Sequence, residues 1–364
     1  MPAIRDLVKM GQSAWLDYIR RSFIASGELQ ALIDEGVSGV TANPTILEKA
    51  IAESSDYDAD IARFVREGKS DIEIYETLAR DDVIRAADLL RPVWNHTHGA
   101  DGYVSLEVSP SLAHDTLGTI DAARHLWSML ARPNVFIKVP ATREGYPAIE
   151  QLLTEGVNVN ITLMFSLAQY QAVAQAYLSA LEKRMNAGQE VSLVASVASF
   201  FVSRVDTLVD QELERVGQER APALQGKIAI ANAKLAYARF RELFQGPRWE
   251  PLASCGAHLQ KPLWASTSTK NPKYPDTLYV DDLIGPDTVN TLPPATLTAW
   301  KDHGRLTPAV TEGVDEAKQQ LAQLAELGID LDAIAKRLTE DGIALFAKSF
   351  DTLVASIAAK RGRM

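Results

Sequence analysis

A lysine at position 138 interrupts a run that otherwise has the character of a protein interior. Residues 134–142 (NVFIKVPAT) are apolar, β-branched and closed by proline, the pattern of a short parallel strand covered on both faces. An ammonium in such a strand is costly unless it is paired or neutralised. Burial favours the neutral form of a lysine, and a free amine is a nucleophile that forms Schiff bases with carbonyls. Two plainer readings compete: an edge strand whose lysine reaches water, and a buried lysine paired with a glutamate.

An amine adding to a ketone needs a proton removed from the carbinolamine and returned as water leaves. The carboxylates placed to do this are Glu107, in the strand preceding that of Lys138, and Asp17, in the first strand. Glu107 with Thr162 suits holding a water beside Lys138. Asp17 suits taking the hydroxyl proton that starts carbon–carbon cleavage, with the protonated imine as electron sink. Asn43, Asn160 and Ser199 are neutral and suit sugar hydroxyls. Plainer roles compete here too. Asn43 precedes Pro44 and suits a turn, Thr162 suits a helix cap, and either carboxylate alone suits a structural pair. Arg204, early in the helix after the sixth strand, and Lys270, after the seventh, are the candidate phosphate ligands.

The elements that must position these groups alternate between strands and helices. Strands are expected over residues 13–18, 39–43, 102–108, 134–142, 157–162, 191–199, 261–266 and 277–280. Helices are expected over 26–35 (capped by Ser26), 45–53, 55–67, 70–90, 111–131, 146–155, 167–187, 200–216, 227–243, 310–327 and 330–361. No hairpin signal joins neighbouring strands, so they run parallel. Eight strands with helices between them predict an α/β fold, a (β/α)8 TIM barrel of about 250 residues with additional helices. A doubly wound open sheet is the runner-up, and it lacks a G-x-G-x-x-G after the first strand. The expected organisation is a single barrel domain over 1–364, with a helical insertion at about 54–99 and C-terminal helices at about 310–361. In a barrel the carboxyl ends of the strands converge on one face, which brings Asp17, Asn43, Glu107, Lys138, Asn160, Thr162 and Ser199 around one pocket.

Composition narrows the function. The chain has 364 residues, is 46% hydrophobic and 23% charged, and carries a net charge of -10. An acidic chain with no long Lys/Arg block is a poor match to broad nucleic-acid or membrane-surface binding. A single cysteine, Cys255, excludes an intrachain disulfide and suits a reducing compartment. The first residues lack a signal-peptide core and no long uncharged apolar window is evident, so the expected location is the cytoplasm. The His96-Thr97-His98 pair precedes the third strand, on the face opposite the strand ends, which disfavours a metal site. Ser196 and Ser199 lack a G-x-S-x-G elbow, which disfavours a serine hydrolase.

Six stretches then carry a resemblance: 39–47 (GVTANPTIL), 104–116 (VSLEVSPSLAHDT), 134–145 (NVFIKVPATREG), 157–170 (VNVNITLMFSLAQY), 195–206 (ASVASFFVSRVD) and 263–272 (LWASTSTKNP). In this order they resemble the transaldolases, and the chain is most similar to the longer bacterial subfamily. The resemblance implies a class I aldolase barrel that uses a lysine Schiff base and no cofactor or metal. It implies a place in the pentose phosphate pathway, moving a dihydroxyacetone unit from sedoheptulose 7-phosphate to glyceraldehyde 3-phosphate and yielding erythrose 4-phosphate and fructose 6-phosphate. By position it implies Lys138 as the Schiff-base lysine, Asp17 and Glu107 as acid–base groups and Thr162 as the water-holding hydroxyl. Asn43, Asn160 and Ser199 fall on hydroxyl-binding positions, Phe201 on a pocket wall and Arg204 on a phosphate ligand.

Lys270 stands where shorter members carry arginine, one residue displaced, and 139–142 reads VPAT where they have IAST. The alternatives are an aldolase of the fructose 6-phosphate type, releasing free dihydroxyacetone, and a non-catalytic sugar-phosphate-binding barrel. The expected partners are sugar phosphates, with no nucleic acid or membrane, in a monomer or homodimer. Replacing Lys138 by methionine is expected to abolish activity and leave stability intact, since an apolar chain of similar length relieves a buried amine.

Overall fold

The computed structural model describes residues 2–363, so Met1 and Met364 of the expected domain lie outside the described residues. Eight parallel strands close into a barrel: β1 Gln12–Leu16, β2 Val37–Thr41, β3 Tyr103–Glu107, β4 Val135–Pro140, β5 Val159–Met164, β6 Ser196–Phe201, β7 Lys261–Ala265 and β8 Thr288–Leu292. β8 pairs with β1 in register from Gln12↔Thr288 to Leu16↔Leu292, which leaves no open edge among the described strands. β4 lies between β3 and β5 and all six of its residues are buried. Lys138 is therefore not on an edge, and one of its two plainer readings falls.

Aromatic side chains fill the base of the barrel. Trp15, Phe136 and Tyr103 stack, with ring centroids 6.1 Å apart for Trp15–Phe136 and 4.2 Å for Tyr103–Phe136. Trp15 fits because its partner in β2 is Gly39: a Cβ there would lie 2.5 Å from the indole ring. The indole N–H donates to Asp101 Oδ1 at 2.8 Å, which satisfies its one polar atom. With the base closed, the polar groups at the strand ends occupy the opposite face.

Three expectations fail locally. Residues 277–280 are not a strand; they belong to a helical turn, Leu278–Asp281, whose Tyr279 hydroxyl donates to Asp206 Oδ2 at 2.9 Å. The true β8 carries Thr288, Asn290 and Thr291, so apolar density did not reveal it. The sixth strand begins at Ser196 rather than 191 and takes in Phe200 and Phe201, which the periodicity assigned to the following helix; that helix is Ser203–Val216. Ser26 does not cap the helix Glu28–Glu35. It ends the short helix Arg21–Ala25, and the next helix is entered through Gly27 at φ +88°.

The insertion between β2 and β3 consists of helices, including Asp58–Arg66 and Asp71–His96. The second starts on a Ser70–Glu73 capping box and continues through Pro92 beyond its expected end. His96 and His98 stand before β3, away from the strand ends, as expected. The closing helix Leu331–Arg361 is, among the described residues, the one helix long and apolar enough to cross a membrane by length and composition. Lys348 and Asp351 interrupt its apolar stretch, so it holds no long uncharged window. Its buried positions, among them Ile334, Leu338, Phe346, Leu353 and Ile357, face the protein. Gly342 lets it approach β5, since a Cβ there would lie 2.8 Å from Leu163 Cδ2. Lys360 Nζ donates to Ser54 O at 2.6 Å and Arg361 pairs with Asp71 at 3.1 Å, tying its far end to the insertion.

Candidate active site

Register sets the first group. Glu107 on β3 pairs with Lys138 on β4, and Lys138 with Asn160 on β5, so three polar side chains share one layer. Lys138 Nζ lies 3.1 Å from Glu107 Oε2, with both side chains about one-twentieth exposed (6% and 5%). The contact is an ion pair rather than an aligned hydrogen bond: Nζ donates to Ala42 O at 3.3 Å, and Glu107 Oε2 has no aligned donor among the described residues. Burial pushes the Glu107 carboxyl above its ordinary value, and the adjacent Lys138 charge is the chief opposing influence.

Thr162 sits two residues beyond Asn160. Its Oγ1 is buried with no hydrogen-bond partner among the described residues. The cap role considered for it belongs instead to Ser166, which accepts from Gln169 N at 3.2 Å. A lone buried hydroxyl lining the same pocket as the Lys138 amine suits a bridging water. Asn160 is committed differently: Nδ2 donates to Ser105 Oγ at 3.0 Å, and Oδ1 accepts from Ser199 Oγ at 2.7 Å.

Asp17 follows β1 on the far side of the mouth. Its backbone N–H donates to Leu292 O at 2.9 Å, and its Oδ1 accepts from Thr41 Oγ1 at 2.6 Å. Burial pushes the Asp17 carboxyl up; the Thr41 hydrogen bond and the charges of Lys138, Arg204 and Lys270 pull the other way. Asn43 has a local structural role and a place in the pocket wall. Its side chain accepts from Ile46 N at 3.0 Å, capping the helix Pro44–Ala52, and it also lines the pocket.

The pocket is a cavity of about 330 Å³, lined by Asp17, Asn43, Lys138, Thr162, Ser199, Phe201, Arg204 and Lys270. Glu107 and Asn160 do not line it; they flank Lys138 in the same layer. Arg204, in the first turn after β6, is held over the Phe201 ring at 5.3 Å and the Phe346 ring at 5.9 Å. Neither Arg204 nor Lys270 joins an ion pair among the described residues, and Lys270 donates to Ser268 Oγ. Burial lowers the pKa of both, and for Lys270 the neighbouring Arg204 charge adds to this. Two cations without an acidic partner suit a dianionic phosphate.

Reading the sequence missed Thr41, Lys49, Ser266, Ser268, Thr291, Leu345 and Phe346, all of which line the pocket. Thr41 and Thr291 sit at strand ends, so the positional rule that found Asp17 was able to find them once β8 was placed. Ser266, at φ +56° just after β7, meets Ser203 Oγ at 2.9 Å. Leu345 and Phe346 carried no signal, because helical periodicity marks both simply as apolar.

Comparison with known proteins agrees with this geometry. The family model described as Transaldolase/Fructose-6-phosphate aldolase matches residues 14–357. The transaldolase of Thiobacillus denitrificans is 50% identical over 359 residues, covering 98% of this chain and 100% of that protein. The transaldolase of Thermobifida fusca is 47% identical, covering 98% of this chain and 97% of its own length, and transaldolase 2 of a Nostoc strain is 45% identical, covering 98% and 96%. With a matching model across the barrel and relatives aligned nearly end to end, the chain belongs to the transaldolase/fructose-6-phosphate aldolase family.

Proposed function

We propose that the chain is a transaldolase. It moves a dihydroxyacetone unit from sedoheptulose 7-phosphate to glyceraldehyde 3-phosphate through a Schiff base on Lys138, without cofactor or metal. The observation that carries this reading is the buried Lys138–Glu107 pair, 3.1 Å apart, at the foot of a pocket lined by Arg204 and Lys270, neither of which joins an ion pair among the described residues.

Lys138 Nζ attacks the donor ketone. Glu107, through a water held with Thr162 Oγ1, takes the proton from nitrogen and returns one as the carbinolamine hydroxyl leaves as water. Asp17 takes the proton from the hydroxyl beside the bond to be cleaved. The electrons of that bond flow into the protonated imine, and the first aldose departs. The resulting nucleophilic carbon then adds to the acceptor aldehyde, Asp17 returns the proton, and hydrolysis frees Lys138. A carboxyl raised above its ordinary value exchanges protons near neutrality more readily than an ordinary one, which suits both Asp17 and Glu107. Arg204 and Lys270 hold the phosphate and Phe201 walls the pocket. Asn43 and Ser199 meet hydroxyls, while Asn160 acts by orienting Ser199.

Borohydride trapping with fructose 6-phosphate tests the reading: the expected product is a single adduct on Lys138, and an adduct elsewhere, or none, overturns it. Because the family's name also covers an aldolase, product formation is compared with and without an acceptor aldehyde. Dependence on the acceptor identifies the transferase. We infer further that the chain works in the cytoplasm as one barrel domain, a monomer or homodimer, binding no nucleic acid or membrane. Its net charge of -10, with no long Lys/Arg block, supports the absence of a nucleic-acid or membrane-surface partner. Light scattering reads the oligomeric state.

A further inference from the structure

Glu107 stands between two spaces. Its carboxylate bears on Lys138, yet it lines no part of the substrate pocket; it lines a second cavity of about 280 Å³. That cavity is bounded by Tyr75 and Glu76 from the helix Asp71–His96, Ala122 and His125 from the helix Thr116–Leu130, and Leu106 from β3. Its outer part is open to solvent: the His125 side chain is 60% exposed and lies 3.7 Å from the Glu76 carboxylate, itself 33% exposed. Its inner part holds Tyr75, which is buried and set edge-on against Phe350 of the closing helix at 5.2 Å. Burial first, and then the charges of Glu107 and Glu76, push the Tyr75 phenol up, so its hydroxyl keeps its proton within electrostatic reach of both carboxylates.

Schiff-base chemistry gives such a passage a use. A ketone and the Lys138 amine become an imine and one water. The carbinolamine C–O bond breaks as the nitrogen lone pair closes the C=N bond, and the hydroxyl leaves as water with a proton from Glu107. Hydrolysis reverses this and consumes one water. Each complete transfer therefore moves one water out and one in, while a sugar phosphate occupies the mouth of the pocket. We infer that the second cavity is a water and proton port serving the Lys138–Glu107 pair from the side, with Tyr75 as the positioning residue between Glu107 and solvent. The inference rests on the Schiff-base reading of Lys138.

The test follows oxygen rather than turnover alone. Incubated with fructose 6-phosphate in ¹⁸O-water without acceptor, the native protein should introduce label at the ketone carbon through repeated imine formation and hydrolysis. Ala122→Phe, which fills the cavity, should slow this exchange on the order of tenfold, since proton delivery is impaired while substrate contacts remain. KM for fructose 6-phosphate should stay at the native value. Tyr75→Phe should slow exchange in the same direction by less. If Ala122→Phe does not fold, Ala122→Leu and Tyr75→Phe decide the matter.

Exchange at the native rate in folded variants overturns the port, as does a raised KM with unchanged exchange, which would mean that the cavity merely shapes the pocket. A native protein that traps no adduct on Lys138 removes the functional reading itself. An adduct in the native protein together with unaffected variants removes only the port.

Discussion

Replacing Lys138 by methionine is the most informative single change, because the structure alters the expected outcome. Considered as a lone buried amine, Lys138 is relieved by an apolar substitute. With Glu107 Oε2 at 3.1 Å, the substitution instead leaves a buried carboxylate without its counter-charge. Glu107 then either stays ionised and unpaired or takes a proton. Protonating a carboxyl of ordinary value 4.5 at pH 7 costs at most about 3.4 kcal/mol, at about 1.4 kcal/mol per pH unit. The more burial raises the folded-state value, the closer the penalty comes to that bound, which is reached when the carboxyl stays protonated at pH 7.

The sign with pH follows from the same shift. In the variant the folded state holds the Glu107 proton to higher pH than the unfolded chain does. Stability is therefore fully present below the unfolded value and is lost as pH rises through the folded one. Urea unfolding of Lys138→Met and of Lys138→Met/Glu107→Gln from pH 5 to pH 8 reads this directly. The single variant should match the double at pH 5 and fall below it by pH 8, and both should be inactive. Equal stability of the two at pH 8 refutes the reasoning, since Glu107 would then tolerate the loss of its partner without cost.

Three further outcomes are expected. Thr41→Val removes the hydroxyl that donates to Asp17 Oδ1 at 2.6 Å, so the Asp17 carboxyl should rise further and the acid limb of the kcat/KM profile should move to higher pH; an unmoved limb contradicts the role of Asp17 as base. Arg204→Ala should raise KM for phosphorylated donors by about 10- to 150-fold, the range for a lost hydrogen bond to a charged group, and should leave an unphosphorylated ketose nearly unaffected; Lys270→Ala should do the same more weakly, because Lys270 is more exposed. Gly39→Ala should destabilise by about 1–3 kcal/mol, measured by denaturant midpoint, because its Cβ would meet the Trp15 ring at 2.5 Å.

The local residue pattern determined the barrel and the position of most site groups. β1 to β5 and β7 announce themselves as short apolar runs, and Asp17, Glu107, Lys138 and Thr162 stand out as polar residues at or near the ends of such runs. β8 escaped the same test because Thr288, Asn290 and Thr291 make up most of it, and barrel closure rather than apolarity requires the strand there.

What only the tertiary structure decided is who touches whom. The register of β3 against β4 turns two separate carboxylate and amine candidates into one ion pair. It also shows that the paired reading of Lys138 holds while its side chain lines the pocket. The closing helix reaches the mouth from the other end of the chain, bringing Phe346 over Arg204 and Phe350 against Tyr75. Periodicity marks a residue as apolar and gives its face, but contacts between elements far apart in the chain depend on how the whole barrel closes. For that reason the chemistry of Lys138 was legible along the strand, while its counter-charge, its pocket walls and the second cavity behind Glu107 were not.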